Sequence, residues 1–376
     1  APGRPQRPEP QVGKSQPVAS SAAVQPSRGF AQTPVLAVIQ ESDDIKTIRL
    51  QRPQGFHFKP GQFLPVRIRV DGKELVRCYS ISSSPSSEGF LEISVKRQGL
   101  VSNALHATAR PGSILTVKAP NGHFTYPADD DRPIVLIAGG IGITPLISML
   151  RHGVHAEPSR PVTLIYSAHD RRGLAFFDEL ALLSSRHPQV RTIFALTKEA
   201  PPGPAFYPGR IDRELLHTTV PDIRDAISLM CGPTQMIDAM KALLTDLAVP
   251  TDQIRYELFE AAVAASTGPS PEAPRRSAAM SPTASGSAAD SSCAMHCLPG
   301  NETVAVAAGQ TILEAAEGNG VDLPSLCRAG VCGTCRVRVT KGEVDCDTTT
   351  LDASELSQGY VLACVATPRT DCTVQL

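Results

Sequence analysis

The chain has 376 residues, too many for one ordinary domain, and its 41% hydrophobic content is enough to build two or three folded cores. Its formal net charge of -1 provides no general basic surface, which argues against nucleic acid as a partner. The ten cysteines are not arranged as a disulfide framework, so they favour a metal site in a reducing compartment. The first thirty or so residues lack the apolar core of a secretory signal, and we expect a cytoplasmic protein.

Changes of composition divide the chain into five segments. Residues 1–33 are rich in Pro, Gln and Ser and predict a disordered tail. Residues 34–130 contain short runs of alternating apolar residues between Gly, Pro and Asp turns, which is typical of an antiparallel β-barrel. In residues 131–262 strands alternate with amphipathic helices, which predicts an α/β domain with a parallel sheet. Composition then predicts a flexible linker over 263–291 and a small cysteine-containing module over 292–376.

One apolar segment is nearly long enough to span a membrane. No charge interrupts the stretch from Pro133 to Leu150, but it contains Gly139, Gly140 and Gly142, with Pro145 behind them. These residues predict a strand, a tight turn and a helix start, so we expect no membrane span.

Two motifs have the chemistry of nucleotide cofactor sites, and a third motif lies further along the chain. In Arg77-Cys78-Tyr79-Ser80 the arginine can fork onto a phosphate, the tyrosine can lie on an aromatic ring, and the serine can hydrogen-bond a ring nitrogen. The turn Gly139-Gly140-Ile141-Gly142-Ile143-Thr144-Pro145 follows a strand and opens a helix, which lets backbone N–H groups approach a pyrophosphate. Cys231-Gly232-Pro233 follows a later strand.

Four cysteines form the clearest metal-ligand pattern. Cys327, Cys332 and Cys335 have the spacing C-x4-C-x2-C, and Cys364 follows at a distance. This is the plant-type arrangement for a [2Fe–2S] cluster. A structural zinc site is the alternative, but zinc prefers two separate pairs of close ligands.

The remaining cysteines of this module are predicted to be packing residues, because buried cysteine commonly behaves as a small apolar side chain. The segment CAMHC has a metal-like composition but lies in an alternating strand pattern. Cys293, His296 and Cys297 are therefore predicted to pack in the core, as are Cys346 and Cys372.

Taken in this order, the motifs resemble those of the ferredoxin–NADP reductase superfamily. Over residues 34–376 the chain is similar to members of the phthalate dioxygenase reductase type and to the reductases of hybrid-cluster protein, which carry a C-terminal ferredoxin domain. The resemblance implies a multidomain protein with an antiparallel β-barrel flavin domain, an α/β parallel-sheet nicotinamide domain and an α+β (β-grasp) ferredoxin domain.

The resemblance also implies which residues form the sites. Those expected at the flavin are Arg77, Cys78, Tyr79, Ser80, Val95, Lys96, Ser102 and Phe259, the last with a core position as the equal alternative. Those expected at the nicotinamide are Gly139, Gly140, Gly142, Thr144, Pro145, Ser167, Cys231, Gly232 and Pro233. Ser80, Thr144 and Cys231 are expected in the catalytic centre. Gly122 and Phe124 suit a stacked adenine and favour FAD over FMN, whereas Gly99–Ser102 departs from the paired glycines of the family.

The choice between NADH and NADPH stays open. Asp170 can accept a hydrogen bond from a ribose 2′-OH, and Arg171 and Arg172 can instead bind a 2′-phosphate or form a solvated charge cluster. The family type favours NADH.

These expectations combine into one electron path, from NAD(P)H to FAD, then to the [2Fe–2S] cluster and on to a partner protein. The expected partner is a Rieske-type oxygenase or demethylase component. Hybrid-cluster protein is an alternative acceptor, and a zinc-binding interaction protein with a degenerate flavin domain is an alternative of another class. We expect a monomer whose acidic ferredoxin module, with five Lys/Arg against ten Asp/Glu, docks on a basic patch of the acceptor while the linker lets the module swing.

Overall fold

The computed structural model describes residues 29–259, 293–300, 302–325, 330, 333–346, 348, 350–351 and 353–376. The predicted tail up to residue 28 and the predicted linker 263–291 lie outside the described residues. Within the described ranges the strands form two six-stranded sheets, one five-stranded sheet and one two-stranded ribbon.

The first sheet is an antiparallel barrel. Its elements are β1 (Phe30–Ser42), β2 (Ile45–Gln51), β3 (Phe63–Val70), β4 (Lys73–Ser80), β5 (Phe90–Lys96), α1 (Leu100–Thr108) and β6 (Ile114–Lys118). The strand order is β4-β3-β6-β1-β2-β5, and an antiparallel bridge between Ile81 and Ile93 joins the two ends. The alternating apolar residues point inward, where Ile48, Leu64 and Leu91 are fully buried.

β1 begins earlier than the sequence suggests. Residues 30–34 pair with β6, although the predicted tail extends to residue 33. The Arg67 guanidinium lies 3.7 Å from the centre of the Phe30 ring, and the buried Thr33 hydroxyl donates to the carbonyl of Gln51. These contacts are between segments distant in sequence, which composition does not reveal.

The second sheet is wholly parallel. Its elements are β7 (Ile134–Gly139), α2 (Ile143–Ala156), β8 (Val162–Ala168), α3 (Phe177–Arg186), β9 (Val190–Leu196), β10 (Phe206–Pro208), α4 (Arg213–Thr219), β11 (Ile227–Gly232), α5 (Thr234–Asp246) and β12 (Ile254–Leu258). The strand order is β10-β9-β8-β7-β11-β12, so the chain builds outward from β7 and then returns to place β11 on its other side. In open α/β sheets the carboxyl ends of the strands at such a reversal form a ligand crevice.

The apolar segment 133–150 forms β7, the turn Gly140–Gly142 and the start of α2, as its turn residues predict. No helix within the described residues is long and apolar enough to cross a membrane.

The barrel and the parallel sheet share a hydrophobic core. Ile45 of β2 and Phe124 and Tyr126 of the connecting segment belong to one buried cluster with residues of β7, α2 and β8. The buried Arg160 holds this connecting segment, because its guanidinium donates to the carbonyls of Arg132 at 2.7 Å and Pro127 at 3.0 Å. The two domains therefore pack as neighbours with a fixed connection.

The third domain is a mixed sheet packed on α6. Its elements are β13 (Cys293–Leu298), β14 (Glu302–Val306), α6 (Ile312–Gly318), β15 (Arg336–Lys341), β16 (Val344–Cys346), α7 (Ala353–Ser357), β17 (Tyr360–Leu362), β18 (Ala366–Pro368) and β19 (Cys372–Gln375). The sheet order is β14-β13-β19-β15-β17, with β13 and β19 parallel and the other pairs antiparallel, and β16 pairs with β18. This is the β-grasp arrangement expected of the ferredoxin module.

The strand β13 confirms two of the three packing predictions for CAMHC. Cys293 and Cys297 are buried, as is Met295 between them. His296 points to the exposed face instead, where its Nδ1 lies 2.8 Å from the Thr303 hydroxyl oxygen, so its prediction as a core residue is wrong. The reason is the two-residue period of a strand, which places His296 opposite its cysteine neighbours.

Candidate active site and cluster-binding loop

The glycine-rich turn and the Cys-Gly-Pro motif meet where the order of the parallel sheet reverses. β7 ends at Gly139, β11 ends at Gly232, and the two strands are hydrogen-bonded neighbours. A Cβ added at Gly142 would lie 2.2 Å from the carbonyl oxygen of Cys231, and one added at Gly232 would lie 3.1 Å from the Cα of Gly139. The two turns thus touch backbone to backbone, and only glycine fits between them.

The helix that follows presents an open N-terminus. α2 starts after Gly142 without a side-chain cap and without an acidic residue in its first turn. Gly140 has a φ of 52°, and among the described residues none except its two chain neighbours lies within 4 Å of the position of a Cβ on it. The Thr144 hydroxyl donates to the carbonyl of Ile141 at 3.0 Å and so stabilises the turn. This arrangement fits a pyrophosphate, which binds to unpaired backbone N–H groups at a helix start.

Three further predicted residues surround this turn. Pro145 is buried in the first turn of α2, and Ser167 is half-buried near the end of β8, where it pairs with Gly139. Pro233 is exposed and precedes α5, with its Cδ 3.0 Å from the position of a Cβ on Gly139. The structure therefore brings all the residues predicted at the nicotinamide to the carboxyl ends of the parallel strands.

A buried carboxyl group lies beside Cys231. Burial raises the pKa of the Cys231 thiol well above its ordinary value, so the thiol is neutral. Glu257 pairs with Cys231 across β11 and β12, and burial raises the pKa of Glu257 to about 8. Its Oε2 has no hydrogen-bond partner among the described residues, which fits a site completed by a ligand. The sequence prediction missed Glu257, because its burial beside Cys231 depends on how β12 pairs with β11 and no local signal marks it.

The flavin motif occupies the end of β4. Strand alternation places Arg77 and Tyr79 on one face and Cys78 and Ser80 on the other, so the four side chains do not share one surface. Ser80 is buried, and Tyr79 packs against the barrel core, where burial raises the pKa of its phenol. The Arg77 guanidinium donates to the carbonyl of Val76 at 2.8 Å.

The second predicted flavin segment can contact a flavin nucleotide through its backbone more than through its side chains. Val95 is fully buried in the barrel core, and its carbonyl accepts from His106 Nε2 at 2.7 Å, so its side chain is not available to a ligand. Lys96 is ion-paired with an aspartate of the β1–β2 turn, and the Ser102 hydroxyl donates to the carbonyl of Gly99. α1 starts after Gly99 with no side-chain cap and no acidic residue in its first turn, which fits the phosphates of a flavin nucleotide.

Of the two aromatic residues predicted near the flavin nucleotide, Phe124 has surroundings that differ from the prediction. Phe124 is buried in the core shared by the two domains, which does not favour the stacking of an adenine on its ring. Gly122 has a φ of 118° and closes against the Phe63 ring, so it is needed for the turn itself. Phe259 is half-buried beside the site, where its N–H donates to the carbonyl of Gly232 at 3.1 Å.

The charges beyond β8 do not decide between NADH and NADPH. Asp170 accepts a hydrogen bond from the N–H of Gly173 and caps the turn, so part of its carboxylate is already used. Arg171 stacks on the Phe177 ring at 4.4 Å, and both Arg171 and Arg172 are exposed. The carboxylate of Glu199 accepts from the backbone N–H of Arg171, which adds a further negative charge that was not predicted.

Two of the four cluster cysteines meet at one end of a strand pair. Cys335 stands directly before β15 and Cys364 shortly after β17, and these strands are antiparallel neighbours. Both cysteines are buried, and the N–H of Ala363 donates to the carbonyl of Cys335 at 2.9 Å. Cys327 and Cys332 lie outside the described residues.

Gly330, which lies between Cys327 and Cys332 in the sequence, supplies a hydrogen-bond donor to a cysteine sulfur. The N–H of Gly330 donates to Cys364 Sγ at 3.2 Å, and Gly330 and Gly333 both have a φ of 69°. The Gly330 carbonyl accepts from the hydroxyls of Thr348 at 3.0 Å and Thr350 at 2.6 Å. Backbone donors aimed at thiolate sulfur fit an anionic iron–sulfur cluster.

The three sites together define an iron–sulfur flavoprotein oxidoreductase. Family models match in the same order: an oxidoreductase FAD-binding domain over residues 32–126, an oxidoreductase NAD-binding domain over 136–242, and a 2Fe-2S iron-sulfur cluster binding domain over 295–369. The chain belongs to the ferredoxin–NADP reductase superfamily, in the group with a C-terminal [2Fe–2S] ferredoxin domain.

Similar proteins match this chain over almost its whole length. The chain is 31% identical over 350 residues to the glycine betaine monooxygenase reductase subunit of Chromohalobacter salexigens. The aligned region covers 90% of this chain and 93% of the relative. It is 30% identical over 348 residues to the ferredoxin reductase component of 3-ketosteroid-9-alpha-monooxygenase from Rhodococcus rhodochrous, covering 90% of this chain and 94% of the relative. The crystal structure of phthalate dioxygenase reductase covers 93% of this chain and 98% of its own, with a TM-score of 0.58 and 23% identity, and shows the shared fold.

The close approach of the two turns predicts the effect of Gly142→Ala. Its Cβ would lie 2.2 Å from the Cys231 carbonyl oxygen and push the turns apart, at a cost of about 1–3 kcal/mol. We expect NAD(P)H to bind at least about tenfold more weakly, a loss of about 1.4 kcal/mol, in titrations followed by flavin absorbance. Gly318→Ala, at a helical glycine with open space around it, is the matched control. Unchanged NAD(P)H affinity in Gly142→Ala would contradict the prediction.

The raised pKa of Glu257 predicts a pH-dependent stability. The folded chain retains the Glu257 proton to about pH 8, whereas the unfolded chain releases it near 4.5, so stability falls as pH rises through this window. Glu257→Gln resembles the protonated form and should lose less stability there, measured as urea midpoints by far-ultraviolet circular dichroism at several pH values. Glu214→Gln, at an exposed position, is the control. Parallel pH profiles for Glu257→Gln and the wild type would show that this carboxyl does not cause the loss of stability at higher pH.

The cluster-binding loop predicts different effects for neighbouring cysteines. Cys364→Ser should remove the visible absorbance and the bound iron of the cluster, because Cys364 is a predicted ligand beside the Gly330 N–H donor. Cys346→Ser should keep both, since Cys346 Sγ accepts from the N–H of Leu362 at 3.4 Å and lies outside the ligand spacing. Iron content per chain and the cluster spectrum measure the difference, and full iron content with an unchanged cluster spectrum in Cys364→Ser would exclude Cys364 as a ligand.

Proposed function

We propose that this chain is the reductase component of a Rieske-type oxygenase or demethylase, to which it delivers electrons one at a time. One observation carries the proposal: a nicotinamide domain, a flavin domain and a cluster-binding module occur in the same chain. The two monooxygenase reductase relatives, which match over almost their full length, support an oxygenase as the acceptor.

The residues of the chain bind the flavin and the nicotinamide, position them and keep water away from them. When bound, FAD accepts the two electrons of a nicotinamide hydride together and passes them on singly, which matches the one-electron capacity of the cluster. The starts of α1 and α2 bind the phosphates, and the packed glycines allow the nicotinamide to approach the backbone of Cys231. The neutral thiol of Cys231 and the raised pKa of Glu257 keep charge away from the transferred hydride. No side chain is required to exchange a proton with the substrate.

The ferredoxin module supplies a surface for the acceptor. The exposed carboxylates of its described part include those of Glu302, Glu317, Asp322 and Glu343. A negatively charged module of this kind associates fastest with a positively charged partner, and salt screens the attraction. We propose that the module docks on a basic surface of the oxygenase.

A reconstituted electron-transfer assay tests the proposal. The purified chain is mixed with a candidate Rieske-type oxygenase and its substrate, and NAD(P)H consumption is compared with product formed at low and high salt. We expect product in proportion to NAD(P)H consumed, with a rate that falls as salt rises. Cys364→Ser should still consume NAD(P)H with a small flavin oxidant but should not support product formation.

Two results would contradict the proposal. Product formation by Cys364→Ser at the wild-type rate would show that electrons leave from the flavin and bypass the cluster. Efficient reduction of hybrid-cluster protein, with no transfer to any oxygenase tried, would favour the alternative acceptor.

A further inference from the structure

The helix α2 connects the nicotinamide turn to the flavin strand. Thr144, Ser148 and Arg151 are spaced four and three residues apart, which puts them on one face of the helix. Thr144 stands in the first turn of α2, beside the predicted nicotinamide. Ser148 and Arg151, one and two turns further along, contact the barrel.

These barrel contacts are made to the chain just after the flavin motif. The Ser148 hydroxyl donates to the carbonyl of Ser83 at 2.7 Å, and both residues are buried. The Arg151 guanidinium donates to the carbonyl of Ser82 at 2.8 Å and to the carboxylate of Glu92 at 3.0 Å. Ser82 and Ser83 follow Ser80 by only two and three residues, so α2 is attached directly to the backbone that continues the flavin strand.

The arginine of this contact is held from several sides. Glu179 of α3 accepts two hydrogen bonds from Arg151, at 2.7 and 2.6 Å, and the Phe176 ring centre lies 5.1 Å from the guanidinium carbon. On the barrel side, Arg49 donates to Glu92 at 2.9 Å and keeps that carboxylate in place. Paired, partly buried charges with several fixed hydrogen bonds have little freedom to move.

We propose that Ser148 and Arg151 form an interdomain clamp with Ser82, Ser83 and Glu92 that sets the distance and angle between nicotinamide and flavin. The clamp acts through α2 on the turn that holds the nicotinamide, so both residues are positioning residues. In the reaction that they serve, the C4–H bond of NAD(P)H breaks and the hydride bonds to flavin N5 with its electron pair. The rate of such a transfer depends steeply on geometry, and a displacement of about 1 Å can cost about 100-fold.

The test compares four variants of the full chain loaded with FAD and cluster. Ser148→Ala and Arg151→Lys remove the clamp contacts, the second while keeping the charge. Ser184→Ala and Arg191→Lys are matched controls, because these residues bond Thr192 and the carbonyl of Thr219 within the nicotinamide domain. Anaerobic stopped-flow mixing with NADH or 4-deuterated NADH gives the flavin reduction rate, its isotope effect and the NADH dissociation constant.

The clamp variants should reduce flavin at least about tenfold more slowly at saturating NADH, a barrier increase of about 1.4 kcal/mol. Their isotope effect should change, and the long-wavelength charge-transfer absorbance of the nicotinamide–flavin complex should weaken, while the NADH dissociation constant stays within about twofold. The controls should match the wild type in all four measurements. A loss of stability alone does not produce this pattern.

Wild-type reduction rates and charge-transfer absorbance in both clamp variants would overturn the inference, as would equal losses in the controls. If Ser148→Ala lowers flavin content, Glu92→Gln replaces it in the same comparison, since it weakens the barrel side of the clamp without changing side-chain size. The inference rests on the proposed function only as far as hydride transfer to the flavin. The assay contains no acceptor protein, so a failure to drive an oxygenase does not alter its outcome.

Discussion

The carboxyl ends of β7 and β11 approach so closely that no side chain fits between the turns that follow them. Gly142 lies against the carbonyl of Cys231, and Gly232 against Gly139. This backbone contact fixes the crevice at the reversal of the parallel sheet, and it leaves the start of α2 open, which suits an anionic ligand. The predicted nicotinamide site depends on this absence of side chains.

The position of this crevice relative to the barrel follows from α2. The helix is rigid over its 14 residues, so the contacts of Ser148 and Arg151 with the chain after β4 also restrain the turn at its start. The shared core around Phe124 and the hydrogen bonds of Arg160 hold the connecting segment at a second place. Two attachments at different points restrict rotation of one domain against the other, which is what a distance-sensitive transfer requires.

Much of the fold could be predicted because its signals are local. The spacing of Cys327, Cys332, Cys335 and Cys364, the glycine-rich turn and the change from strand-only to alternating patterns are all visible within short windows. In β13 the burial of Cys293 and Cys297 was predicted, but His296 was wrongly placed in the core, although strand alternation puts it on the exposed face. The features that escaped prediction depend on contacts between distant segments. Glu257 has its unusual pKa because β12 lies beside β11, and a carboxylate within YELFE does not reveal that neighbour. Ser148 and Arg151 look like ordinary residues of an amphipathic helix until the barrel is placed against them. The motif around Phe124 suggested a ring available to a ligand. Instead, the ring is buried in the core between the domains, because burying an apolar ring there is favourable.

We infer that one chain takes electrons from a nicotinamide and delivers them through flavin to its own cluster. Anaerobic titration with NADH or NADPH, followed by flavin absorbance and by the electron paramagnetic resonance of the reduced cluster, tests it most directly. We expect the cluster signal to develop only in flavin-loaded chain, and full reduction to take three electrons, two for the flavin and one for the cluster. A fully reduced flavin beside a cluster that stays oxidised, or a cluster reduced equally well without flavin, would contradict it.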